Sequence, residues 1–221
     1  MDHLQVVYLH GFASSPTSSK AVFLKRRLAA RGVAFSCPDL NEPDFATLTT
    51  SRMVAQVTEH IETLPDDTVV LFGSSLGAFV ALHVTEQTST QLSHAIERLV
   101  LLAPALDFGR RPVGELGAEG MAQWEATGWW TLTHYASNEI RRVRYELFRD
   151  ALRYDSFETA RTVPTLILQG NRDEVVDPQM VARFAFARAH VDLVMLDDDH
   201  QLGTSHERIW AEVARFLQLA P

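Results

Sequence analysis

One stretch of the sequence decides the fold of this chain, namely Val69-Val70-Leu71-Phe72-Gly73-Ser74-Ser75-Leu76-Gly77-Ala78-Phe79-Val80-Ala81-Leu82. It is typical of a short buried strand, a turn of small residues and an apolar helix. Ser75 stands at the centre of Gly73-x-Ser75-x-Gly77, a pattern that holds a serine in a strained turn with its hydroxyl above the sheet edge. Both glycines are needed because side chains there would collide as the helix folds back. Serine also favours helix N-caps, so the motif indicates chemistry only if partner residues follow.

Strands and helices alternate on both sides of this stretch. Apolar, β-rich runs predict six strands, near residues 4–9, 33–37, 69–72, 98–103, 165–169 and 191–196. Helical periodicity lies between them, at residues 18–31, 51–64, 76–86, 178–189 and 207–219. This alternation predicts an α/β fold, a mainly parallel sheet of about six strands with helices on both faces. Active groups are then expected at the carboxyl ends of the strands.

Residues 107–160, after the fourth strand, interrupt the alternation. They are too few to bury a core of their own, so we expect a small insertion or lid on a single domain of residues 1–221. A short hairpin arm is predicted at 130–135 and a charged helix at about 144–154. Four insertion residues either line an acyl or alcohol pocket or pack against the body of the domain: Trp124, Trp129, Trp130 and His134.

An acidic residue follows the strand that comes after the insertion. A serine nucleophile needs a histidine base and an acid that orients it, and after an elbow of this kind the chain order is serine, acid, histidine. Asp173 has the expected position. Asp177, just before Pro178, is better explained as a helix N-cap, and Glu174 is expected to point elsewhere.

The histidine is expected after the last strand, where His200 stands. His206, at the start of the closing helix, is its competitor. The three residues before His200, Asp197 to Asp199, are interpreted as a solvated acidic turn rather than a metal site, because they lack spaced partner ligands. Close to His200, they would favour its imidazolium form.

Two backbone N–H groups are expected to stabilise an oxyanion. One belongs to Leu76, after the serine, and the other to Phe12, in the loop after the first strand. Gly11 permits the close approach that this loop needs. We interpret the neighbouring His10 as a structural hydrogen-bonding residue.

Composition excludes several classes of function. The formal net charge of −8, without a basic cluster, argues against a nucleic-acid surface. The single cysteine, Cys37, excludes an internal disulfide and a thiolate metal cluster. We find no metal-ligand spacing, phosphate loop or dinucleotide fingerprint, so no cofactor or metal is expected. No signal peptide or membrane span is visible, which predicts a cytoplasmic protein, either a monomer or a homodimer.

Taken together, these motifs resemble those of the α/β-hydrolase superfamily, most closely its small bacterial serine esterases with little or no cap. The resemblance covers nearly the full chain and rests on His10-Gly11-Phe12, Gly73-Ser74-Ser75-Leu76-Gly77, Gly170 to Val176 and Asp199-His200. It implies a Ser75–Asp173–His200 triad, an oxyanion hole at Phe12 and Leu76, and hydrolysis of carboxylic esters of small or medium acyl length. Relatives often carry a glycine before the histidine, where this chain has Asp199.

Two other functions stay open at this point. The same triad would serve an acyl thioesterase, because substrate choice belongs to the pocket rather than the fold. A non-catalytic ligand-binding member of the fold is the second alternative. The expected partner is in each case a small molecule, an ester or thioester for the enzymes.

Overall fold

Six apolar strands form one parallel sheet. The computed structural model describes residues 4–65, 68–87, 96–113 and 116–219. The strands in chain order are β1 (Leu4–Leu9), β2 (Ala34–Ser36), β3 (Thr68–Ser74), β4 (Ile96–Leu102), β5 (Trp129–His134), β6 (Glu139–Arg144), β7 (Thr165–Gly170) and β8 (Val191–Leu196). The main sheet has the order β2-β1-β3-β4-β7-β8, whereas β5 and β6 form a separate antiparallel hairpin. The predicted fold class is confirmed.

Helices cover both faces of this sheet. They are α1 (Ser19–Ala29), α2 (Thr50–Glu62), α3 (Leu76–Gln87), α4 (Gly117–Thr127), α5 (Glu146–Ala151), α6 (Pro178–Phe186) and α7 (His206–Phe216). Side chains alternate along each strand, so Val7 and Leu71 pack toward α2, α3 and α6, while Val6 and Val70 pack toward α1 and α7. Burial on both faces explains why these strands are apolar without interruption.

The insertion contains α4, the β5–β6 hairpin and α5. Trp124 anchors it, because this side chain is buried and its Nε1 donates a hydrogen bond to the Val143 carbonyl at 3.2 Å. The hairpin is longer than the predicted arm at 130–135, and its second strand extends to Arg144. The charged helix is therefore shorter than predicted and covers only Glu146–Ala151.

The direction of chain winding reverses between β1 and β3. From β1 the chain passes through α1 to β2 on one side, and from β3 it passes through α3 to β4 on the other. Such a reversal leaves a crevice at the carboxyl ends of the two central strands, where ligands bind in open α/β sheets. Among the described helices, none combines the length and the apolar character needed to span a bilayer.

Candidate active site

The turn after β3 places Ser75 in the crevice. Its φ of 54° lies in the left-handed region, which a residue with a side chain rarely adopts. Neighbouring glycines allow the turn: a Cβ on Gly77 would lie 2.1 Å from the Leu9 carbonyl oxygen, and one on Gly73 would lie 2.4 Å from the Ala78 Cα. The helix therefore starts directly over β1 and β3, and the serine stands at their ends.

Three side chains from separate loops form a hydrogen-bonded chain at this point. Ser75 Oγ lies 3.0 Å from His200 Nε2, and His200 Nδ1 lies 2.9 Å from Asp173 Oδ2. A carboxylate only accepts hydrogen bonds, so Nδ1 carries the proton and Nε2 is left to accept from the serine hydroxyl. This arrangement is the one that a general base needs toward a nucleophile.

The carboxylate of Asp173 is buried, and its oxygens accept hydrogen bonds from neighbouring protein groups. Its Oδ1 accepts hydrogen bonds from the Val175 and Val176 N–H groups at 2.9 and 2.8 Å, and its Oδ2 accepts one from Gln169 Nε2 at 2.8 Å. Burial by itself raises the pKa of this carboxyl, but the hydrogen bonds and the neighbouring His200 outweigh burial and leave the pKa below its usual value. Asp173 therefore stays ionised where His200 needs a negative partner.

The competing residues lie elsewhere. Asp177 accepts a hydrogen bond from the Gln179 N–H at 2.9 Å and is the N-cap of α6, as predicted. Glu174 borders the cleft but makes no hydrogen bond with His200 among the described residues. The ring of His206 stacks on Phe23, with 5.1 Å between the ring centroids.

The acidic turn before His200 is not solvated throughout, which corrects the sequence-based interpretation. Asp198 is buried, and its Oδ2 accepts hydrogen bonds from the backbone and the hydroxyl of Thr204 at 3.0 and 2.9 Å. Asp199 Oδ1 accepts another from the Gln201 N–H at 2.8 Å. These carboxylates thus shape the loop that carries His200. In the described ranges, no three or more His, Cys, Asp or Glu side chains are grouped so that they could hold a metal ion.

The loop after β1 lies against the serine. A Cβ on Gly11 would lie 3.3 Å from the Ser74 carbonyl oxygen and 3.4 Å from the Ser75 Cβ, so a larger residue would make a tight contact here. Within the described chain, neither the Phe12 nor the Leu76 N–H donates a hydrogen bond. Both are thus available to an oxyanion. His10 Nδ1 donates to the Gly11 carbonyl at 2.9 Å and Nε2 accepts from the Leu40 N–H at 3.0 Å, consistent with a structural role.

A cleft of about 950 Å³ opens over Ser75 and His200. We call its apolar lining residues the apolar wall, and they include Phe12, Phe108, Val113, Trp130, Leu132 and Val176. Of the four insertion residues predicted to line a pocket, only Trp130 borders the cleft.

The other three insertion residues pack away from the cleft. Trp124 is buried in the core beneath the hairpin. Trp129 lies under the Arg142 and Arg144 guanidinium groups, 4.7 and 4.9 Å from its ring centroid. His134 is buried edge-on against Phe45.

Two residues near the site were missed by the sequence analysis. Gln169 is a polar residue at the end of an apolar strand, and such a residue needs a buried partner, which proves to be Asp173. Lys20 donates from Nζ to the Gln201 carbonyl oxygen at 2.7 Å, next to His200. No pattern in the sequence connects α1 with that distant loop.

Known proteins resemble this chain in sequence family and in fold. The model of the uncharacterised protein family UPF0227 matches residues 5–218. No curated protein matches the sequence. Est1E from Butyrivibrio proteoclasticus, solved with ferulic acid, is 19% identical with a TM-score of 0.81, over 97% of this chain and 88% of that one.

Two further solved structures give the same result. A presumed hydrolase from Agrobacterium vitis S4 is 24% identical with a TM-score of 0.80, over 97% of this chain and 88% of that one. Mouse alpha/beta hydrolase domain-containing protein 10 is 22% identical with a TM-score of 0.77, over 98% of this chain and 90% of that one. Together they show that the chain has an α/β-hydrolase fold.

Proposed function

Because this chain belongs to the uncharacterised protein family UPF0227 and has an α/β-hydrolase fold, we propose that it is a serine hydrolase of carboxylic esters. One observation carries the proposal: Ser75, His200 and Asp173 are joined by hydrogen bonds of 3.0 and 2.9 Å, and Ser75 and His200 line the cleft. Its substrate is a small-molecule ester of small or medium acyl length, and the reaction uses no cofactor.

The proposed reaction proceeds in two halves. His200 Nε2 takes the proton of the Ser75 hydroxyl as Oγ attacks the ester carbonyl carbon, and the protonated imidazole then gives this proton to the leaving alkoxide. The acyl group remains on Ser75. A water molecule attacks it next and gives a proton to His200, which returns that proton to Ser75 Oγ as the bond from Oγ to the acyl carbon breaks and the carboxylic acid leaves.

The remaining residues stabilise charge during both halves. Asp173 holds the imidazole in the tautomer with Nδ1–H and offsets the positive charge that forms on it. The N–H groups of Phe12 and Leu76 face the negative charge that develops on the carbonyl oxygen. Loss of one donor of this kind typically costs about 2.7–4 kcal/mol of transition-state stabilisation.

The experiment is hydrolysis of p-nitrophenyl acetate, butyrate and octanoate by the wild type and three variants. We expect Ser75→Ala and His200→Ala to lower kcat by at least about a thousandfold, because neither retains an activated nucleophile. His206→Ala is the matched control and is expected to keep kcat within about twofold, because this ring stacks on Phe23 outside the hydrogen-bonded chain.

Two results would contradict the proposal. Activity that survives in Ser75→Ala would show that another group is the nucleophile. A wild type as inactive as Ser75→Ala on all three esters would favour a thioesterase or a ligand-binding protein, and acyl thioesters of matched length would then distinguish these two.

A further inference from the structure

Part of the cleft lining is polar and can donate hydrogen bonds. We call it the polar wall, and it is formed by Tyr8, Ser18, Ser19, Lys20 and Ser74. It contains no carboxylate and one cation. Glu174, Asp107 and Asp177 also border the cleft, but they come from the loops after β7 and β4.

The hydroxyl of Tyr8 is a buried polar group that makes no hydrogen bond of good geometry with the residues that the structure describes. Its side chain is fully buried. The Ser74 and Ser18 side chains approach it, yet burial dominates and raises the pKa of this phenol far above its usual value. Tyr8 is therefore a neutral donor, and a buried donor without a partner costs about 1–3 kcal/mol unless a ligand accepts its hydrogen bond.

The first turn of α1 contributes further donors to the polar wall. Ser18 is the N-cap residue but makes no side-chain hydrogen bond to the helix. In the described part of the chain, the Ser19, Lys20 and Ala21 N–H groups donate no backbone hydrogen bond. The N-terminus of an 11-residue helix carries a partial positive charge that favours an anion.

Lys20 adds a positive charge that no carboxylate of the described residues neutralises by contact. Its ammonium group makes one hydrogen bond, to the Gln201 carbonyl, and it forms no ion pair with a described residue. Burial lowers its pKa to about 8, and the more distant Asp199, Asp198 and Asp173 only partly oppose this. These carboxylates are engaged by Gln201, Thr204 and His200, respectively.

The polar wall combines one ammonium group and free helix N–H groups, which only donate, with hydroxyls that can donate, and none of its side chains is anionic. Carboxylate and phosphate groups accept several hydrogen bonds and attract a cation, whereas a neutral acyl chain does neither. We infer that the polar wall is a subsite for an anionic group of the substrate, separate from the oxyanion hole. The substrate is then an ester whose acyl part or leaving group carries a carboxylate or phosphate. This inference rests on the proposed ester hydrolysis.

Matched ester pairs test the inference. The first pair is 4-butanoyloxybenzoate and its neutral methyl ester, which place the anion on the leaving group. The second is mono-p-nitrophenyl glutarate and its methyl ester, which place it on the acyl part. In at least one pair, we expect kcat/KM of the wild type to be about tenfold higher for the anionic ester than for the neutral ester. In Lys20→Met, we expect the ratio of these two kcat/KM values to fall to about one.

The ratio of kcat/KM for the anionic ester to kcat/KM for its neutral partner separates binding of the anion from an effect on His200, because an effect on His200 changes both values equally. Tyr8→Phe removes only the buried hydroxyl and is expected to lower the ratio as well. Lys25→Met removes an equal charge from an exposed position on the same helix and is expected to leave the ratio unchanged. An equal loss for both members in Lys20→Met would show that Lys20 acts only through the Gln201 carbonyl, and would refute the subsite.

Calorimetric binding of glutarate and of inorganic phosphate to Ser75→Ala tests the subsite without turnover. We expect one of them to bind, and the affinity to drop at least about tenfold when Lys20→Met is added. Binding with no hydrolysis of any ester would support the subsite and refute the ester hydrolase. Hydrolysis without an anionic preference or binding would refute the subsite alone.

Discussion

Four of the six non-glycine residues with a positive φ in the described ranges follow strands of the main sheet. Ala13, Ser75, Ala103 and Leu202 all have a φ between 45° and 54°, and they follow β1, β3, β4 and β8, respectively. A residue with a side chain in this region costs on the order of 1–3 kcal/mol, so the surrounding packing must impose it. Of these four residues, Ser75 is the one that belongs to the candidate site.

At the same scale, His83 makes stability depend on pH. Its ring is buried on α3, packs edge-on against Phe79 and Tyr154, and lies 3.3 Å from Ser156 Oγ. Burial lowers its pKa from 6.5 to about 4. The unfolded chain therefore binds this proton first as pH falls below 6.5, so the contribution of the neutral ring to stability is lost progressively between pH 6.5 and 4.

We expect this histidine to account for a loss of about 2 kcal/mol in the free energy of unfolding between pH 7 and pH 5. Urea titrations at both pH values measure it, with His83→Gln as the variant that cannot titrate. The pH-dependent loss should shrink by about that amount in His83→Gln, whatever its stability at pH 7. An unchanged loss would show that the ring protonates equally in both states.

At the scale of elements, the hairpin supports the loop that carries the Phe12 N–H. The Trp130 ring on β5 stacks on the Phe12 ring, with 5.5 Å between centroids and 19° between planes. Phe12 also packs against Phe45 at 5.5 Å. The insertion thereby holds one of the two proposed oxyanion donors in place and forms part of the apolar wall.

Trp130→Ala is therefore expected to lower kcat/KM for p-nitrophenyl octanoate by about two- to tenfold, because an aromatic pair of this kind contributes about 0.5–1.5 kcal/mol. The neighbouring Trp129→Ala is the matched control, because that ring lies under Arg142 and Arg144 outside the cleft. Equal losses in the two variants would mean that the hairpin acts only through general stability.

At the scale of the whole molecule, much of the architecture is readable from the sequence. Unbroken apolar runs predict parallel strands because both faces of this sheet are covered, and the predicted strands agree with the structure to within about two residues. Residues such as Asp173 and His200 could be found because parallel strands bring their carboxyl ends to one edge. Their catalytic roles remain a proposal.

What the sequence could not predict depends on contacts between distant segments. The burial of Asp198 follows from the packing of its loop against Gly170, where an added Cβ would lie 2.6 Å from the Asp198 carbonyl oxygen. The aromatic insertion gives no periodic signal that distinguishes a core anchor such as Trp124 from a cleft residue such as Trp130. The contact of Lys20 with Gln201 joins residues 181 positions apart.

The central claim is that His200 activates Ser75 as a nucleophile. The most direct test is the rate of covalent labelling by a fluorophosphonate. Intact-protein mass spectrometry follows the labelling, and peptide mapping locates the adduct. We predict one adduct, located on Ser75 and absent from Ser75→Ala, that forms at least about a hundredfold more slowly in His200→Ala. No adduct on Ser75 in the wild type, or an equal labelling rate in His200→Ala, would contradict the account.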